Sequence, residues 1–301
     1  MKKILITGSS GFIGKQLFKT LILPENNKYY HITTCDKKDC DIPFDTFIQH
    51  DYWGKYDCIV HMGAVSETNA TDEYEIYKNN IDFTIKLLSK YSNTDCKIIY
   101  ASSASVYGNL NKIETPLQEN PNFENAISRY AISKLVIDNI VRNFYSTNPI
   151  IGLRFFNVCS NTLESHKKQP SPTYKFKQEL ISNNQISLFP NSYSIIRDFI
   201  HISDVVDIIK FFIDKEDINK ADIVNVGTSK SISFESIADA LIMKYGCTKT
   251  NGFSSKKYID PPSNLTVSYQ KFTQADISKL RAMGYSKDIP SILEKLDTKY
   301  E

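Results

Sequence analysis

A strand that runs directly into a glycine-rich turn constrains the fold of this chain more than any other feature. Lys3–Thr7 is a short apolar run that predicts a buried strand, and a helix is predicted over Phe12–Leu21. Gly8, Gly11 and Gly14 follow the strand at three-residue spacing. Glycine permits a tight turn and lets the backbone approach a pyrophosphate, which would lie at the helix N-terminus. The segment therefore predicts the first unit of a dinucleotide-binding fold.

Strands and helices continue to alternate through the first half of the sequence. We predict further strands at His31–Cys35, Cys58–His61, Lys97–Ser102 and Ile150–Arg154, and helices over Glu73–Tyr91 and Ser128–Phe144. Such alternation is typical of a doubly wound parallel sheet, and the handedness of the crossovers leaves few topologies.

The pattern loosens beyond Asn157. There we predict helices near Tyr174–Ser182, over Ser233–Tyr245 and from a Thr273 cap to Gly284, and strands at Ile186–Phe189 and Asp222–Val226. The predicted fold is α/β, a Rossmann-type doubly wound parallel sheet with a smaller α/β substrate-binding lobe. Residues 1–157 are expected to form mainly the NAD(P)-binding domain. Residues 158–301 are expected to form mainly the smaller lobe, interleaved with returns to the main sheet.

Composition argues against several classes of partner. The chain has 36 lysines and arginines against 34 aspartates and glutamates, so it carries no basic field for nucleic acid. Its six cysteines lack the spacing of a zinc or redox site, and its five histidines contain no helical ligand pair. The apolar run Ile4–Ile6 is too short for a signal peptide, and no stretch is long enough to span a bilayer. We expect a cytoplasmic protein with neither a metal nor a membrane partner.

Asp36 ends the second predicted strand, where a carboxylate can accept a hydrogen bond from the adenosine ribose of a dinucleotide. Lys37 and Lys38 follow directly and could instead receive a 2′-phosphate. These lysines favour NADP, although two solvated loop lysines would give the same sequence. NAD therefore remains possible.

Tyr130 and Lys134 lie four residues apart, on one face of a predicted helix. A neighbouring ammonium stabilises a phenolate, so Lys134 is expected to lower the pKa of Tyr130 from its usual value of about 10. Ser103 follows the fourth predicted strand and offers a hydroxyl that can hydrogen-bond a substrate oxygen. The three residues predict a base that removes a hydroxyl proton while a nicotinamide takes the hydride.

With these residues the chain resembles the extended short-chain dehydrogenase/reductase family. The resemblance rests on Thr7–Gly14, Ser103–Gly108, Tyr130, Lys134 and Arg197–Phe199 and spans nearly the whole chain. It implies a Rossmann domain, a nucleotide-sugar-binding lobe, a homo-oligomer, and catalytic roles for Ser103, Tyr130 and Lys134. Asn80, with Asn79 beside it, matches the family's helix asparagine near the cofactor.

Within that family the sequence resembles the ADP-L-glycero-D-manno-heptose 6-epimerases in particular. The shared segments are His61–Ser66, Arg154–Val158, His166–Lys167, Arg197–Ile200, Tyr269–Asp276 and Leu280–Tyr285. This resemblance implies cofactor contacts at Phe12, Ile13, Asp36, Lys37, Met62, Gly63, Ala64, Val65, Ser66, Asn79 and Val158. It implies contacts to a nucleotide-diphosphate sugar at Asn157, Phe189, Pro190, Asn191, Ser192, Arg197 and Tyr269.

The resemblance also implies a mechanism, in which C6 of the sugar is inverted through a transient 6-keto intermediate. Two bases on opposite sides of that intermediate are needed, and Tyr130 is one of them. The second is Lys167 if His166 and Lys167 align as a pair, with His166 and Lys168 as alternatives. The same three residues would also fit a solvated loop without a catalytic role.

Two other functions remain open. One is a different nucleotide-sugar epimerase or reductase, such as a 4-epimerase. The sequence departs from the family's usual pattern directly after Val158 and again at Gln169–Thr173, by the end of the polar segment Ser160–Pro172 that is predicted to be a loop or flap. The other is a dinucleotide-binding protein without catalysis, although such a protein has no need of the three catalytic residues. A 4,6-dehydratase is disfavoured, because Ala104 and Ser105 stand where those enzymes place an acidic pair.

Overall fold

Strands and helices alternate along the chain of the computed structural model, which describes residues 1–37, 39–49, 54–66, 72–109, 115–160, 170–246, 255–261 and 270–297. The strands are β1 (Lys2–Thr7), β2 (Tyr30–Asp36), β3 (Ile42–Pro43), β4 (Cys58–His61), β5 (Lys97–Ser103), β6 (Ile150–Phe155), β7 (Asn157–Cys159), β8 (Gln185–Leu188), β9 (Ile196–Arg197), β10 (Phe199–His201), β11 (Asp222–Val226), β12 (Ile232–Ser233) and β13 (Ser255–Tyr258). The helices are α1 (Phe12–Leu21), α2 (Pro24–Asn27), α3 (Phe44–Gln49), α4 (Glu73–Ile76), α5 (Phe83–Tyr91), α6 (Arg129–Phe144), α7 (Pro172–Asn183), α8 (Ile202–Asp214), α9 (Phe234–Tyr245), α10 (Ser278–Ala282) and α11 (Ile292–Asp297).

Seven strands form one sheet in the order β11-β6-β5-β4-β1-β2-β3, and every neighbouring pair from β6 to β3 runs parallel. The chain moves from β1 to β2 and β3 on one side and then returns to place β4 on the other side of β1. The carboxyl ends of β1 and β4 therefore flank the topological switch point, where doubly wound sheets bind their ligands. The predicted Rossmann-type α/β fold is confirmed.

Most of the predicted elements are confirmed to within two residues. The helix predicted over Glu73–Tyr91 is present, but a π-helical segment over Tyr77–Asp82 separates α4 from α5. Ser128 is the N-cap of α6, and its side chain accepts a hydrogen bond from the N–H of Ala131. Helix α8 was not predicted from the sequence, although the apolar residues of that segment recur at helical spacing.

The helix predicted to start at Thr273 is wrong, because α10 starts only at Ser278. Thr273 lies in an extended segment instead: its N–H donates to Ile196 O at 3.0 Å, and Ile196 N–H donates to Lys271 O at 2.8 Å. The Thr273 hydroxyl accepts a hydrogen bond from the N–H of Asp198 rather than capping a helix. Pairing with β9 outweighs the local capping signal here. The predicted stop at Gly284 is confirmed by its φ of +99° and its N–H bond to Arg281 O.

The chain divides into two compact units. The first contains Met1–Val106, Ser128–Phe155 and Ser203–Val224, and the second contains Tyr107–Ile127, Phe156–Ile202 and Asn225–Glu301. Helices α5 and α6 cover the sheet in the first unit through an apolar cluster that includes Leu5, Ile59, Leu87 and Ile137. The second unit has its own cluster, in which α7, α9 and α11 pack around Phe199 of β10. Among the described residues, no helix is long and apolar enough to cross a membrane.

His61, at the carboxyl end of β4, is buried between two threonines. Its Nδ1 lies 2.6 Å from the Thr7 hydroxyl, and its Nε2 lies 2.9 Å from the Thr84 hydroxyl. Burial, with a smaller contribution from the charge of Lys134, lowers the pKa of His61 to about 3. The imidazole is therefore neutral at physiological pH. Its two hydrogen bonds link β4 to β1 and to α5.

We expect His61 to make the protein less stable as the pH falls from about 6.5 toward 3. In that range the unfolded chain binds a proton at His61 and the folded chain does not, so the free energy of unfolding decreases. Between about pH 7 and pH 5 this decrease amounts to about 2 kcal/mol. Urea unfolding of the His61→Gln variant should lack this part of the pH dependence, whereas a His31→Gln control at an exposed position should keep it. Equal pH dependence in the protein and in His61→Gln would contradict the prediction.

Candidate active site

The turn after β1 forms a cradle that requires glycine. Gly8 has a φ of +70°, and a Cβ there would lie 2.4 Å from the backbone N of Gly63. A Cβ on Gly14 would lie 2.1 Å from the carbonyl oxygen of Gly8. Both obstacles are backbone atoms, so a side chain at either position would displace the turn. The turn thereby brings α1 and the loop after β4 close to the end of β1.

The cradle also carries polar groups that suit a phosphate. Gly11 is the N-cap of α1 and no side chain caps this helix, so its positive dipole end faces the turn. The Ser9 hydroxyl is buried, and none of the described residues provides it with a hydrogen-bond partner. An unpaired buried hydroxyl costs free energy, and a phosphate oxygen would provide the missing partner. These features fit the pyrophosphate of a dinucleotide.

Asp36 lies beside this cradle at the end of β2. Its Oδ2 accepts the N–H of Ser10 at 2.8 Å, and its Oδ1 accepts the N–H of Lys37 at 2.6 Å. The carboxylate is thus oriented by the turn itself. The Lys37 side chain is exposed, and its ammonium lies 3.4 Å from Glu75 in a surface ion pair. Surface pairs of this kind contribute little, so Lys37 can exchange that partner for another anion.

Asn80 connects the loop after β4 to α6. Its Oδ1 accepts the N–H of Val65 at 2.7 Å, and its Nδ2 donates to Val65 O and to the Ser133 hydroxyl, both at 3.0 Å. The π-helical segment carries Asn80, which is almost completely buried. Asn79, in contrast, donates its amide to Glu75 O within its own helix. The structure therefore directs Asn80, and not Asn79, toward the loop that the sequence assigns to the cofactor.

Tyr130, Lys134 and Ser103 come together in the first unit. Tyr130 lies in the first turn of α6, its hydroxyl hydrogen-bonds Ser103, and its ring centroid lies 5.8 Å from the Lys134 ammonium. That ammonium is buried and donates to Ala101 O at 2.8 Å, so Lys134 also attaches α6 to β5. The geometry provides a phenol with a hydroxyl partner and a buried cation within one helical turn.

The expectation that Lys134 lowers the pKa of Tyr130 is wrong. Burial raises the pKa of Tyr130 above its usual value, and the hydrogen bond from Ser103 acts in the opposite direction. Burial also lowers the pKa of Lys134, to about 8, although the carboxylate of Asp138 opposes this. The Lys134 ammonium lies 5.8 Å from the ring centroid of Tyr130 and donates to Ala101 O. It therefore stabilises the Tyr130 phenolate less than the four-residue spacing in the sequence suggests.

Beneath this group lies a fully buried ion pair. Asp138 of α6 accepts hydrogen bonds from Tyr100 at 2.8 Å and Ser102 at 2.9 Å, both on β5. Arg154 of β6 contacts the same carboxylate through Nε at 2.9 Å and Nη2 at 2.8 Å. Asp138 was not among the residues predicted from the sequence, although its position four residues after Lys134 puts it on the face of α6 that carries Tyr130.

Other predicted contacts belong to the second unit. Asn157 and Val158 lie on β7, which pairs in parallel with β10. Arg197 is buried and donates through Nη1 to Ile196 O at 3.2 Å. Next to it, the buried carboxylate of Asp198 accepts the N–H groups of Thr228, Ser229 and Ala275, and so holds one turn and the extended segment before α10 beside Arg197.

Phe189, Pro190, Asn191 and Ser192 form a tight turn in the second unit. Ser192 N–H donates to Phe189 O at 3.1 Å, and Asn191 adopts a left-handed φ of +64°. The Ser192 hydroxyl is buried and donates to Glu235. Phe189 also lines a cavity of about 160 Å³ with two other phenylalanines, Phe176 and Phe234.

Residues 4–227 match the NAD-dependent epimerase/dehydratase family. The chain belongs to that family. It is 34% identical to an ADP-L-glycero-D-manno-heptose-6-epimerase of Brachyspira hyodysenteriae, over 96% of this chain and 94% of the relative. The crystal structure of the Helicobacter pylori ADP-L-glycero-D-manno-heptose-6-epimerase is also similar, with a TM-score of 0.76 over 98% of this chain and 94% of that one. The two sequences are 26% identical. A Bacillus cereus UDP-glucuronic acid 4-epimerase, at 22% identity and a TM-score of 0.76 over 99% and 98% of the chains, shares the fold.

In this epimerase/dehydratase, one set of predicted site residues is assembled by the first unit: Gly8, Gly11, Phe12, Ile13, Gly14, Asp36, Lys37, Met62, Gly63, Ala64, Val65, Ser66, Asn79, Ser103, Tyr130 and Lys134. A second set belongs to the second unit: Asn157, Val158, Phe189, Pro190, Asn191, Ser192 and Arg197. The predicted residues Lys38, His166, Lys167, Lys168 and Tyr269 lie outside the described residues.

Asn80→Ala should destabilise the protein, because the substitution leaves the N–H and C=O of Val65 without their partner. We expect the free energy of unfolding, measured in urea, to fall by about 1–3 kcal/mol. The neighbouring Asn79→Ala is the matched control, and because its amide bonds only within its helix the change should stay within about 0.5 kcal/mol. Equal losses in both variants would contradict the role given to Asn80.

Proposed function

We propose that the protein is an ADP-D-glycero-D-manno-heptose 6-epimerase that inverts C6 through a transient 6-keto intermediate. The observation that carries this proposal is the 34% identity to a heptose 6-epimerase over 96% of this chain and 94% of the relative. The catalytic group of Ser103, Tyr130 and Lys134 supports it, because an epimerase that works by oxidation and reduction needs a base beside the sugar hydroxyl.

In the proposed reaction, Tyr130 removes the proton of the C6 hydroxyl as its phenolate. Gly8, Gly11 and Gly14 would hold the dinucleotide, whose nicotinamide would supply the hydride chemistry: removal of hydride from C6 and its return to the opposite face of the carbon. Ser103 donates a hydrogen bond to the sugar oxygen and so stabilises the charge that develops there. Lys134 supplies a buried positive charge 5.8 Å from the ring centroid of Tyr130, on the same helix.

Returning the hydride to the other face requires a second proton-transfer group on the far side of the ketone. We assign this group to Lys167, with His166 and Lys168 as alternatives. The nucleotide diphosphate of the substrate is assigned to the second unit. Its proposed contacts there are Asn157, Phe189, Pro190, Asn191, Ser192, Arg197 and Tyr269.

The proposed cofactor is NADP. The glycine cradle and the unpaired Ser9 hydroxyl fit a pyrophosphate, and the other proposed contacts are Met62, Gly63, Ala64, Val65, Ser66, Asn79, Lys134 and Val158. Lys37 would distinguish the phosphorylated cofactor, because its exposed ammonium can exchange the surface pair with Glu75 for a 2′-phosphate. Asp36 favours NAD instead, because its carboxylate would accept a hydrogen bond from a ribose hydroxyl of NAD and would repel a 2′-phosphate.

The activity is tested by incubating the purified protein with ADP-D-glycero-D-manno-heptose and determining the C6 configuration of the product by NMR. We expect inversion at C6 without net consumption of dinucleotide. Tyr130→Phe should lose turnover by at least about 100-fold, as expected for removal of a general base. The same variant should keep its bound dinucleotide in native mass spectrometry. Unchanged turnover in Tyr130→Phe would remove Tyr130 from the mechanism, and no conversion by the unmodified protein would contradict the proposed substrate.

Lys37→Ala should weaken NADP binding by about tenfold in isothermal titration calorimetry, because one charge-assisted phosphate contact is lost. Binding of NAD should change by less than about twofold, because NAD has no 2′-phosphate. Lys19→Ala, an exposed lysine at the far end of α1, is the matched control and should change neither affinity. Equal effects of Lys37→Ala on both cofactors would contradict the choice of NADP.

A further inference from the structure

Ser105 directs two hydrogen bonds at the hydroxyl of Ser103. The Ser105 N–H donates to Ser103 Oγ at 3.2 Å, and the Ser105 hydroxyl donates to the same oxygen at 2.9 Å. Both residues are partly buried, and Ser105 belongs to the short 3₁₀ turn Ala104–Tyr107 that follows β5 directly. The turn therefore fixes both donors relative to Ser103.

The two bonds determine where the proton of Ser103 points. A serine hydroxyl has two acceptor positions and a single proton to donate. With both acceptor positions taken by Ser105, the remaining bond of Ser103 is its donation to the Tyr130 hydroxyl. The direction of the pKa effect agrees, since the Ser103 bond lowers the pKa of Tyr130, as a donor to a phenolate does.

The charged groups around Tyr130 give its phenolate little stabilisation. The hydrogen bond donated by Ser103 is therefore the main contact that stabilises the phenolate. Lys134 on α6 directs its ammonium at Ala101 O, 5.8 Å from the ring centroid. The carboxylate of Asp138, farther along α6, is neutralised by Arg154. His61 on β4 is neutral at physiological pH because burial lowers its pKa to about 3.

We propose that Ser105 is a positioning residue that orders the hydroxyl chain Ser105→Ser103→Tyr130. The single proton of Ser103 then points at Tyr130 in the substrate-free protein and is available to the reacting sugar oxygen when that oxygen lies beside the base. The proposal rests on the catalytic roles given to Ser103 and Tyr130 in the proposed function. Ser105 acts through Ser103 and needs no contact of its own with the substrate. Its hydroxyl is the specific requirement, because any residue other than proline supplies the backbone N–H.

The test is an ultraviolet titration of the phenolate, with the spectrum of Tyr130→Phe subtracted so that only Tyr130 is observed. In Ser105→Ala we expect the pKa of Tyr130 to rise by about 0.5–1 pH unit, the effect of one lost hydrogen bond. Ser105→Thr keeps the hydroxyl and should restore the original value. If Ser105→Ala fails to fold, Ser105→Cys takes its place, because a thiol is a weak donor of similar size and should give a smaller rise.

Turnover provides a second readout. The acidic limb of the kcat profile should move to higher pH by the same amount in Ser105→Ala, with kcat lowered about 3- to 10-fold at neutral pH and KM within about twofold. An unchanged pKa of Tyr130 in Ser105→Ala, or a failure of Ser105→Thr to restore it, would overturn the proposal. The titration needs no substrate, so its result stands even if the protein does not convert the heptose. Inversion of C6 with an unchanged titration would overturn the role of Ser105 alone.

Discussion

The buried ion pair between Asp138 and Arg154 is the interaction on which the rest of the first unit depends. Both side chains are fully buried, and the carboxylate also accepts the hydroxyls of Tyr100 and Ser102. Such a pair adds little net stability, but breaking it typically costs about 3–5 kcal/mol because it leaves an unpaired buried charge. Since its partners lie on β5 and β6, the pair sets the position of α6 along both strands. Tyr130 is carried on that same helix.

Burial has opposite consequences for the groups that α6 carries. It raises the pKa of Tyr130, which would keep the phenol protonated, and it lowers the pKa of Lys134 to about 8. Both shifts disfavour the charged pair that acid–base chemistry needs. Two polar contacts oppose them: the negative charge of Asp138 supports the ammonium, and the donated bond of Ser103 supports the phenolate. The chemistry of this site is therefore governed as much by hydrogen-bond direction as by the distance between charges.

In the second unit, the carboxylate of Asp198 holds neighbouring segments in place. Asp198 is completely buried and accepts three backbone N–H groups and the Thr228 hydroxyl, which lies 2.6 Å away. A buried carboxylate needs such partners, because it has lost its water. These bonds tie the turn at Thr228 and the extended segment before α10 to β9, and they determine the surroundings of Arg197. The pairing of that segment also explains why Thr273 does not begin a helix.

Features whose cause is local could be predicted from the sequence alone. Strand and helix periodicity predicted the parallel sheet, and glycine spacing predicted the cradle, because each depends on a few neighbouring residues. Ser103, Tyr130 and Lys134 could be chosen in the same way. The three-dimensional structure was needed to learn that the amide of Asn80 contacts the loop after β4, while that of Asn79 bonds to Glu75 O, and that Ser105 orients Ser103. It also showed that burial raises the pKa of Tyr130. These outcomes depend on burial in the folded protein and on the geometry of hydrogen bonds. The partners can be distant in the chain, as Asn80 and Ser133 are, or two residues apart, as Ser105 and Ser103 are, and spacing along a sequence does not specify that geometry.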